Sequence, residues 1–422
     1  MKSSLLFIAI GATTTILPVR AEVNLTAAAA LPECIVKCGL SVSTKHNCPI
    51  GAACSCDLDG PVSKDLAACV TNVHHGCKAW ADVLSGLHYQ ADSCDWPTDR
   101  NKQPAVKKTG IALFVLSTLF IVARLASRWP RWGGAGFGRD DGLAVICWLP
   151  ILALTIAGLI SLNLGLGRDL WTLSVSNVKD WAKWFFVSQA LYVFGAFFTK
   201  LSLVLLYLRI WQESPETRTF RLTCKATGAI LMLGGVACIL ATIFSCHPIT
   251  NAIRYTNRAG GTCVNRIALA YSVGGINAVL DIVVIALPIP RLSKLTISLR
   301  QKMGIISCFL IGFTVTACTV VRLTHLHSLT TILNPTWDFV ELNLWSLIEV
   351  NCSMISCCMP AMAGFVKRTG RFVTKNAPFV SSGSRGAAID EFHLEKTIKH
   401  SQHSEEFRDV GTPPPAYSQL QV

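Results

Sequence analysis

The chain has 422 residues, of which 51% are hydrophobic and only 15% are charged, and its formal net charge is +13. Soluble domains average about 25% charged residues, so this composition excludes an ordinary soluble protein and indicates a membrane protein. The positive charge does not indicate a nucleic-acid-binding protein, because the basic residues lie mainly in short loops between apolar segments rather than in one patch.

The N-terminus is typical of an exported protein. Residues 1–21 combine Lys2, a short apolar run and small residues around Arg20, which predicts a cleaved signal peptide; an uncleaved anchor is the alternative. Asn24 begins a glycosylation sequon, which has meaning only if this segment is lumenal.

Residues 22–95 form a predicted extracellular domain that is rich in cysteine. A domain this small cannot bury enough apolar surface to offset its chain entropy, and disulfides are the usual remedy. The clustering therefore predicts a disulfide framework with open connectivity, and zinc ligation is the less favoured alternative. The eight framework cysteines are Cys34, Cys38, Cys48, Cys54, Cys56, Cys69, Cys77 and Cys94.

The spacing of these cysteines resembles that of the fungal CFEM domain, an eight-cysteine extracellular module. The matching features are Pro32-x-Cys34-x₃-Cys38, then Cys48-x₅-Cys54-x-Cys56 and the long final gap to Cys94, although the Cys69 to Cys77 gap is wider than the pattern. The resemblance implies recognition at the cell surface. Haem-binding members carry an aspartate three residues before the Cys-x-Cys pair, where this chain has Gly51. We therefore expect no cofactor and no tight haem binding.

A polar linker at 96–108 precedes a region of seven apolar segments. A helix rises about 1.5 Å per residue and the hydrocarbon core is about 30 Å thick, so each segment is long enough to cross a lipid bilayer. The sequence predicts an all-α membrane protein: a seven-transmembrane helix bundle at 109–366 after a small, disulfide-rich, mainly helical extracellular domain. The predicted spans are 109–127, 142–163, 184–208, 224–246, 267–290, 303–327 and 342–366.

The loops alternate in charge, and this alternation predicts the orientation. Basic residues concentrate after the first, third, fifth and seventh spans, within 128–139, 209–221, 291–302 and 367–375. The positive-inside rule places these segments in the cytoplasm. We therefore expect a multi-pass plasma-membrane protein with an extracellular N-terminus and a cytoplasmic C-terminus.

The seven-span region resembles the fungal rhodopsin-like integral membrane family, whose members often follow a CFEM domain in pathogenicity-associated receptor-like proteins. The matching stretches include residues 138–141 (GRDD), 199–211 (TKLSLVLLYLRIW), 277–292 (NAVLDIVVIALPIPRL) and 344–362 (LWSLIEVNCSMISCCMPAM). The resemblance implies a receptor for an unknown extracellular ligand, with a heterotrimeric G protein as the cytoplasmic partner. No lysine lies in the seventh span to form a retinal Schiff base, so covalent light sensing is not expected.

Ionisable residues inside the predicted spans are candidates for a conformational switch. Charges at membrane depth are expensive and normally pair inside a bundle. Lys200 and Asp281 lie at matched depths in the third and fifth spans, and Arg322 and Glu349 at matched depths in the sixth and seventh. The alternative for Lys200 is a side chain that reaches the interface from some depth. Arg209 ends the third span as either a receptor-like switch or a positive-inside anchor.

Two further features lie outside the apolar segments. Cys246 and Cys263 flank the second outer loop and are expected to form a disulfide, with Cys246 as a packed thiol the alternative. Residues 367–422 are polar, predict a disordered cytoplasmic tail and end near Pro414-Pro415-Ala416-Tyr417. Proline-rich motifs of this kind bind WW domains, so a WW-domain ubiquitin ligase is a candidate partner.

Two functions remain from the sequence. The first is a G-protein-coupled-receptor-like sensor of extracellular cues, and the second is a membrane protein for haem or iron acquisition, which Gly51 disfavours. A metal-dependent hydrolase would need clustered histidines at membrane depth; His247, His325 and His327 lie at outer ends and lack nearby carboxylates. We therefore expect no metal site, no catalytic residues and no enzyme activity.

Overall fold

The computed structural model describes residues 30–48, 52–58, 60–71, 77, 80–132, 134, 136–250, 262–293, 299–328 and 334–376. Only the backbone is described at 71, 80, 132, 299–308, 327, 328 and 363–376. The predicted signal peptide, the Asn24 sequon, Gly51 and the motif with Pro414, Pro415 and Tyr417 lie outside the described residues. The chain divides into two compact units, Met1–Val366 and Lys367–Val422.

The described part of the N-terminal module, within residues 30–99, contains four helices tied by disulfides. They are α1 (Glu33–His46), α2 (Ala53–Cys56), α3 (Pro61–Thr71) and α4 (Trp80–Ser93). The structure supplies the connectivity that the sequence left open: Cys34–Cys77, Cys38–Cys69, Cys48–Cys54 and Cys56–Cys94. Lys45 and His46 of α1 hydrogen-bond Asp65 of α3, which lowers the pKa of Asp65 and adds a polar contact between these helices.

Within the described residues, seven longer helices are apolar and long enough to cross a membrane, which confirms the predicted fold class. The short helix α10 (Ile289–Leu292) follows the fifth of them, and 3₁₀ turns at Pro130–Trp132, Leu170–Thr172 and Pro215–Thr217 lie in the connections. The seven helices are α5 (Gln103–Arg128), α6 (Arg139–Asn163), α7 (Val175–Ile210), α8 (Arg218–Ile243), α9 (Arg266–Ala286), α11 (Leu299–Ser328) and α12 (Pro335–Asn376).

Polar residues fix where several of these helices begin. Ser174 accepts a hydrogen bond from the Asn177 amide at the start of α7, and Asn265 accepts one from the Ala268 amide at the start of α9. Asp141 accepts one from the Gly138 amide at the start of α6. Such caps satisfy amide groups that have no partner inside the helix, so these short polar stretches set the ends of apolar helices.

Helix α7 is the centre of the bundle. In its most apolar stretch 72% of the residues are buried, compared with 22% for α5 and for α8. Small residues permit close packing here: a Cβ at Gly195 of α7 would lie 2.8 Å from Val350 of α12. The helix begins nine residues before the predicted span, because polar residues such as Lys179 and Asp180 extend it beyond the apolar stretch.

The structure also shows where the last helix ends and how the two short strands pair. Helix α12 passes through Pro360 and continues to Asn376, ten residues beyond the predicted end of the seventh span at 366. Strand β1 (Cys246–His247) pairs antiparallel with β2 (Thr262–Cys263), and Cys246 lies opposite Cys263.

Candidate functional site

The N-terminal module packs on one end of the bundle, which is called the module end below. Leu84, Leu87 and Trp96 of the module form one hydrophobic cluster with Leu170 and Trp171 of the connection between α6 and α7. The indole of Trp171 also donates to the carbonyl of Pro97 at 3.1 Å. Module and bundle therefore share a continuous core.

Asp169 is the polar centre of this junction. Its carboxylate has no exposed side-chain surface and accepts two hydrogen bonds from Arg100, at 2.6 and 3.1 Å. The amide of Asn334, just before α12, donates to the same carboxylate at 2.7 Å. The Arg100 guanidinium also stacks over Trp337, 4.6 Å from the ring centre. The linker after the module is thus bound to the entrances of both α7 and α12.

A charge network lies in the middle of the bundle, between α7, α9, α11 and α12. The Lys200 ammonium is 3.0 Å from the Asp281 carboxylate and donates to the Asn277 side-chain oxygen at 2.6 Å and to the Ala196 carbonyl at 2.7 Å. These three acceptors satisfy the three N–H groups of Lys200. Thr319 of α11 donates to the other Asp281 oxygen at 3.3 Å.

The second predicted pair belongs to the same network. Glu349 of α12 accepts from Asn277 at 2.7 Å and from the Tyr192 hydroxyl at 2.8 Å through one carboxylate oxygen. Its other oxygen lies 3.3 Å from Nε of Arg322, without hydrogen-bond alignment. The Arg322 guanidinium also covers the Tyr192 ring at 4.5 Å. We name this set of residues the central network: Tyr192, Lys200, Asn277, Asp281, Thr319, Arg322 and Glu349.

A small cavity lies beside the central network, between the same four helices. Lys200 and Asp281 line it together with Ser353, Ser356 and Cys357 of α12. The hydroxyl of Ser353 is buried and has no hydrogen-bond partner among the described residues. The cavity extends from the central network toward the turn of α12 that precedes Pro360.

A second cluster occupies the end of the bundle opposite the module. Asp140 and Asp141, at the start of α6, bind Arg124 of α5 at 2.6 and 2.9 Å and Arg209 of α7 at 3.0 and 2.7 Å. Arg128 makes a longer ion pair with this cluster, in which its Nε lies 3.8 Å from the Asp141 carboxylate. We name these five residues the arginine clamp.

The clamp also reaches α12. Nη1 of Arg124 donates to the carbonyl of Cys357 at 2.6 Å, three residues before Pro360. Ser202 of α7 donates to the Asp140 backbone carbonyl at 2.9 Å. Since Arg124 is completely buried, one side chain couples the first, second and seventh spans, and Arg209 adds the third.

The structure brings together all five intramembrane candidates, but in two clusters. Lys200, Asp281, Arg322 and Glu349 lie in the central network, and Arg209 lies in the arginine clamp. The predicted loop cysteines Cys246 and Cys263 are joined by a disulfide. Seven members of these clusters were not predicted as site residues from the sequence: Tyr192, Asn277, Thr319, Arg124, Arg128, Asp140 and Asp141.

Comparison with known proteins agrees with this architecture. Residues 123–368, more than half of the chain, match the family model described as the fungal rhodopsin domain. A SAT4 family membrane protein of Emericella nidulans is 28% identical over 207 residues, which cover 48% of this chain and 50% of that protein. The polyenoic acids biosynthesis gene cluster protein Ba17b of Metarhizium anisopliae is 24% identical over a stretch that covers 53% of this chain and 65% of the length of that protein.

A third relative is similar at the same level. The Fugralins biosynthesis cluster protein 2 of Gibberella zeae is 23% identical over 47% of this chain and 50% of its own length. The chain thus spans half to two thirds of the length of these curated relatives. No solved structure matches the chain. The family match, together with seven apolar helices, identifies the chain as a multi-pass membrane protein that belongs to the fungal rhodopsin domain family.

Proposed function

We propose that this protein is a receptor-like sensor in the plasma membrane, in which the CFEM-like module recognises an extracellular cue and the bundle transmits it. The observation that carries this proposal is the continuous core between the module and the connection that leads into α7. The same helix contributes Lys200 to the central network and Arg209 to the arginine clamp. A displacement at the junction would therefore act on a helix that belongs to both charge clusters.

The proposed orientation has the module outside and the clamp at the cytoplasmic face. The basic residues Arg128, Arg131, Arg218 and Arg221 lie at the clamp end of the described bundle, and the positive-inside rule favours the cytoplasm for them. Protease added to sealed cells tests this orientation. A C-terminal tag should survive, and a tag inserted after residue 21, behind the predicted signal peptide, should be removed; removal of the C-terminal tag from outside would contradict the orientation.

The proposed cytoplasmic partner is a heterotrimeric G protein that docks at the clamp end. Full-length protein in detergent should co-purify a fungal G-protein α subunit in the absence of nucleotide and release it when a GTP analogue is added. Arg209→Gln should change this binding, because Arg209 has the most exposed side chain of the three clamp arginines. Lys225→Gln, which removes an exposed charge from α8, is the matched control. Failure to retain any α subunit would refute the proposed G-protein coupling, whereas the membrane fold does not depend on this result.

We propose a sensory and non-enzymatic role, with a WW-domain ubiquitin ligase as the partner of Pro414-Pro415-Ala416-Tyr417. Tyr417→Ala should abolish capture of an isolated WW domain by the full-length protein, whereas Tyr255→Ala, far from the motif in the sequence, should not. Haem or iron acquisition is the competing role. It is disfavoured because Gly51 has no side chain with which to ligate iron.

A further inference from the structure

The arginine clamp contains more positive than negative charge. Among the described residues, the ion pairs of Arg124, Arg128 and Arg209 involve two carboxylates, those of Asp140 and Asp141. Arg128 is the arginine with the weakest partner. Its Nε lies 3.8 Å from Asp141 and makes no hydrogen bond to any described residue. Its side chain is only 13% exposed. A largely buried charge without a full partner is costly, so this position favours a further anion.

Gly134 and Gly136, in the described part of the loop after Arg128, are folded tightly against it. The amide of Gly136 donates to the Arg128 carbonyl at 3.2 Å, and the amide of Gly134 donates to the Trp129 carbonyl at 3.0 Å. A Cβ at Gly134 would lie 2.3 Å from the carbonyl carbon of Arg128, a distance that requires glycine. Arg209 also donates to the Gly136 carbonyl at 2.6 Å, so the clamp itself holds this loop in place.

The same loop exposes two aromatic rings at the end of the first two spans. Trp129 is 46% exposed and Phe137 is 53% exposed, and their rings meet edge to face with centres 5.9 Å apart. Arg131, between them in the chain, is exposed as well. Aromatic side chains at the ends of membrane helices are typical of the interface between hydrocarbon and headgroups. Rings of this kind favour the depth of lipid phosphates for the neighbouring Arg128 and Arg131.

We propose that Arg128 and Arg131 bind the phosphate of an anionic membrane lipid. A guanidinium presents paired N–H donors that match phosphate oxygens, and Arg is well suited to such recognition. Trp129 and Phe137 contact the adjoining part of the lipid. The bound phosphate balances the excess charge of the clamp, so the lipid stabilises the end of the bundle where Asp140 and Asp141 connect three spans. The proposal requires membrane insertion but not receptor signalling.

The test compares purified full-length protein in nanodiscs of phosphatidylcholine with nanodiscs that also contain phosphatidylserine. The wild type should unfold at a higher temperature with phosphatidylserine, by roughly 2 °C or more, because a ligand that binds only the folded state stabilises it. Arg131→Gln and Arg128→Gln should each remove most of this shift. Lys225→Gln, which removes one exposed charge at the same end of the bundle, should keep it. Arg131 is exposed, so its variant should remain folded even where Arg128→Gln does not.

Each other outcome overturns the proposal. An equal midpoint for the wild type in both nanodiscs means that no anionic lipid binds here. An equal loss of the shift in Lys225→Gln means a general surface-charge effect rather than a site. Inorganic phosphate is added to the phosphatidylcholine nanodiscs as a separate arm. If it reproduces the shift there and gives no further shift in the phosphatidylserine nanodiscs, the ligand is a soluble phosphate and not a lipid.

Discussion

The Lys200 ammonium lies 3.0 Å from the Asp281 carboxylate, and both side chains are almost completely buried in the centre of the bundle. The remaining N–H groups of Lys200 bind the Ala196 carbonyl and Asn277. The side chain therefore ends inside the bundle rather than at either interface. Because Asn277 also binds Glu349, a change at this ion pair reaches α12.

We expect Lys200 and Asp281 to be energetically coupled. Asp281→Asn strands an ammonium and Lys200→Met strands a carboxylate, so each single change should lower the unfolding temperature in detergent. The double variant removes both charges, so its loss of stability should be smaller than the sum of the two single losses. The expected coupling free energy is about 1 kcal/mol or more. Measured couplings between polar groups in membranes are often smaller, near 0.6 kcal/mol. Strictly additive effects would show that the ion pair contributes no specific stability.

The sequence predicted this pair because Lys200 and Asp281 are isolated charged residues in apolar spans. Their similar distances from the ends of their spans were enough to pair them. Asn277 and Tyr192 were missed because an uncharged polar residue in an apolar span has many possible partners. Which partner it takes depends on helix rotation, which a single sequence does not specify. Helix bounds differed for a similar reason: hydropathy marks the hydrocarbon core, whereas α7 and α12 continue as polar helices beyond it.

The arginine clamp shows another limit of sequence reasoning. Arg124 lies close to the end of the first span, where a basic residue is normally an interfacial anchor. Its burial depends on Asp140 and Asp141, which a loop brings back to the same bundle end. The GRDD stretch at 138–141 carried part of the family resemblance, but without the fold nothing connected its carboxylates to Arg124 or Arg209.

Arg124 should be more important for stability than Arg209. Arg124→Gln removes two ion pairs and the bond to the Cys357 carbonyl from a fully buried position, whereas the Arg209 side chain is 26% exposed. We expect a loss of about 3 kcal/mol or more for Arg124→Gln and a clearly smaller loss for Arg209→Gln. Unfolding midpoints in detergent measure the difference, with exposed Arg139→Gln as the control. A larger loss for Arg209→Gln would contradict this order.

The full-length protein should not bind haem tightly, and Gly51→Asp should create or strengthen binding. Titration with haemin, followed at the Soret band, should show no saturable one-to-one binding for the wild type. Gly51→Asp adds a carboxylate at the position that ligates iron in haem-binding CFEM domains. Gly51→Asn adds a side chain of nearly equal size without the anionic ligand, and it should behave like the wild type. Saturable submicromolar binding by the wild type would refute the prediction and favour the acquisition role.

The last prediction concerns the junction between the module and the bundle, where the two partners of one ion pair differ in exposure. Asp169 has no exposed side-chain surface, whereas the Arg100 side chain is 33% exposed. Arg100→Gln therefore leaves the buried Asp169 carboxylate without its charged partner, although the hydrogen bond from Asn334 remains. Asp169→Asn leaves an arginine that still reaches water and still stacks over Trp337.

We therefore expect Arg100→Gln to be the more destabilising change, by about 3 kcal/mol, although Asp169 is the more buried residue. The double variant should recover part of that loss, because it removes the stranded carboxylate. Lys102→Gln is the matched control; its partner Glu341 is 38% exposed and Lys102 is 33% exposed, so the change should cost less than about 1 kcal/mol. Thermal unfolding and the rate at which protease releases the module measure both effects. If Asp169→Asn loosens the module more than Arg100→Gln, neutral contacts to Asn334 hold the junction rather than the ion pair.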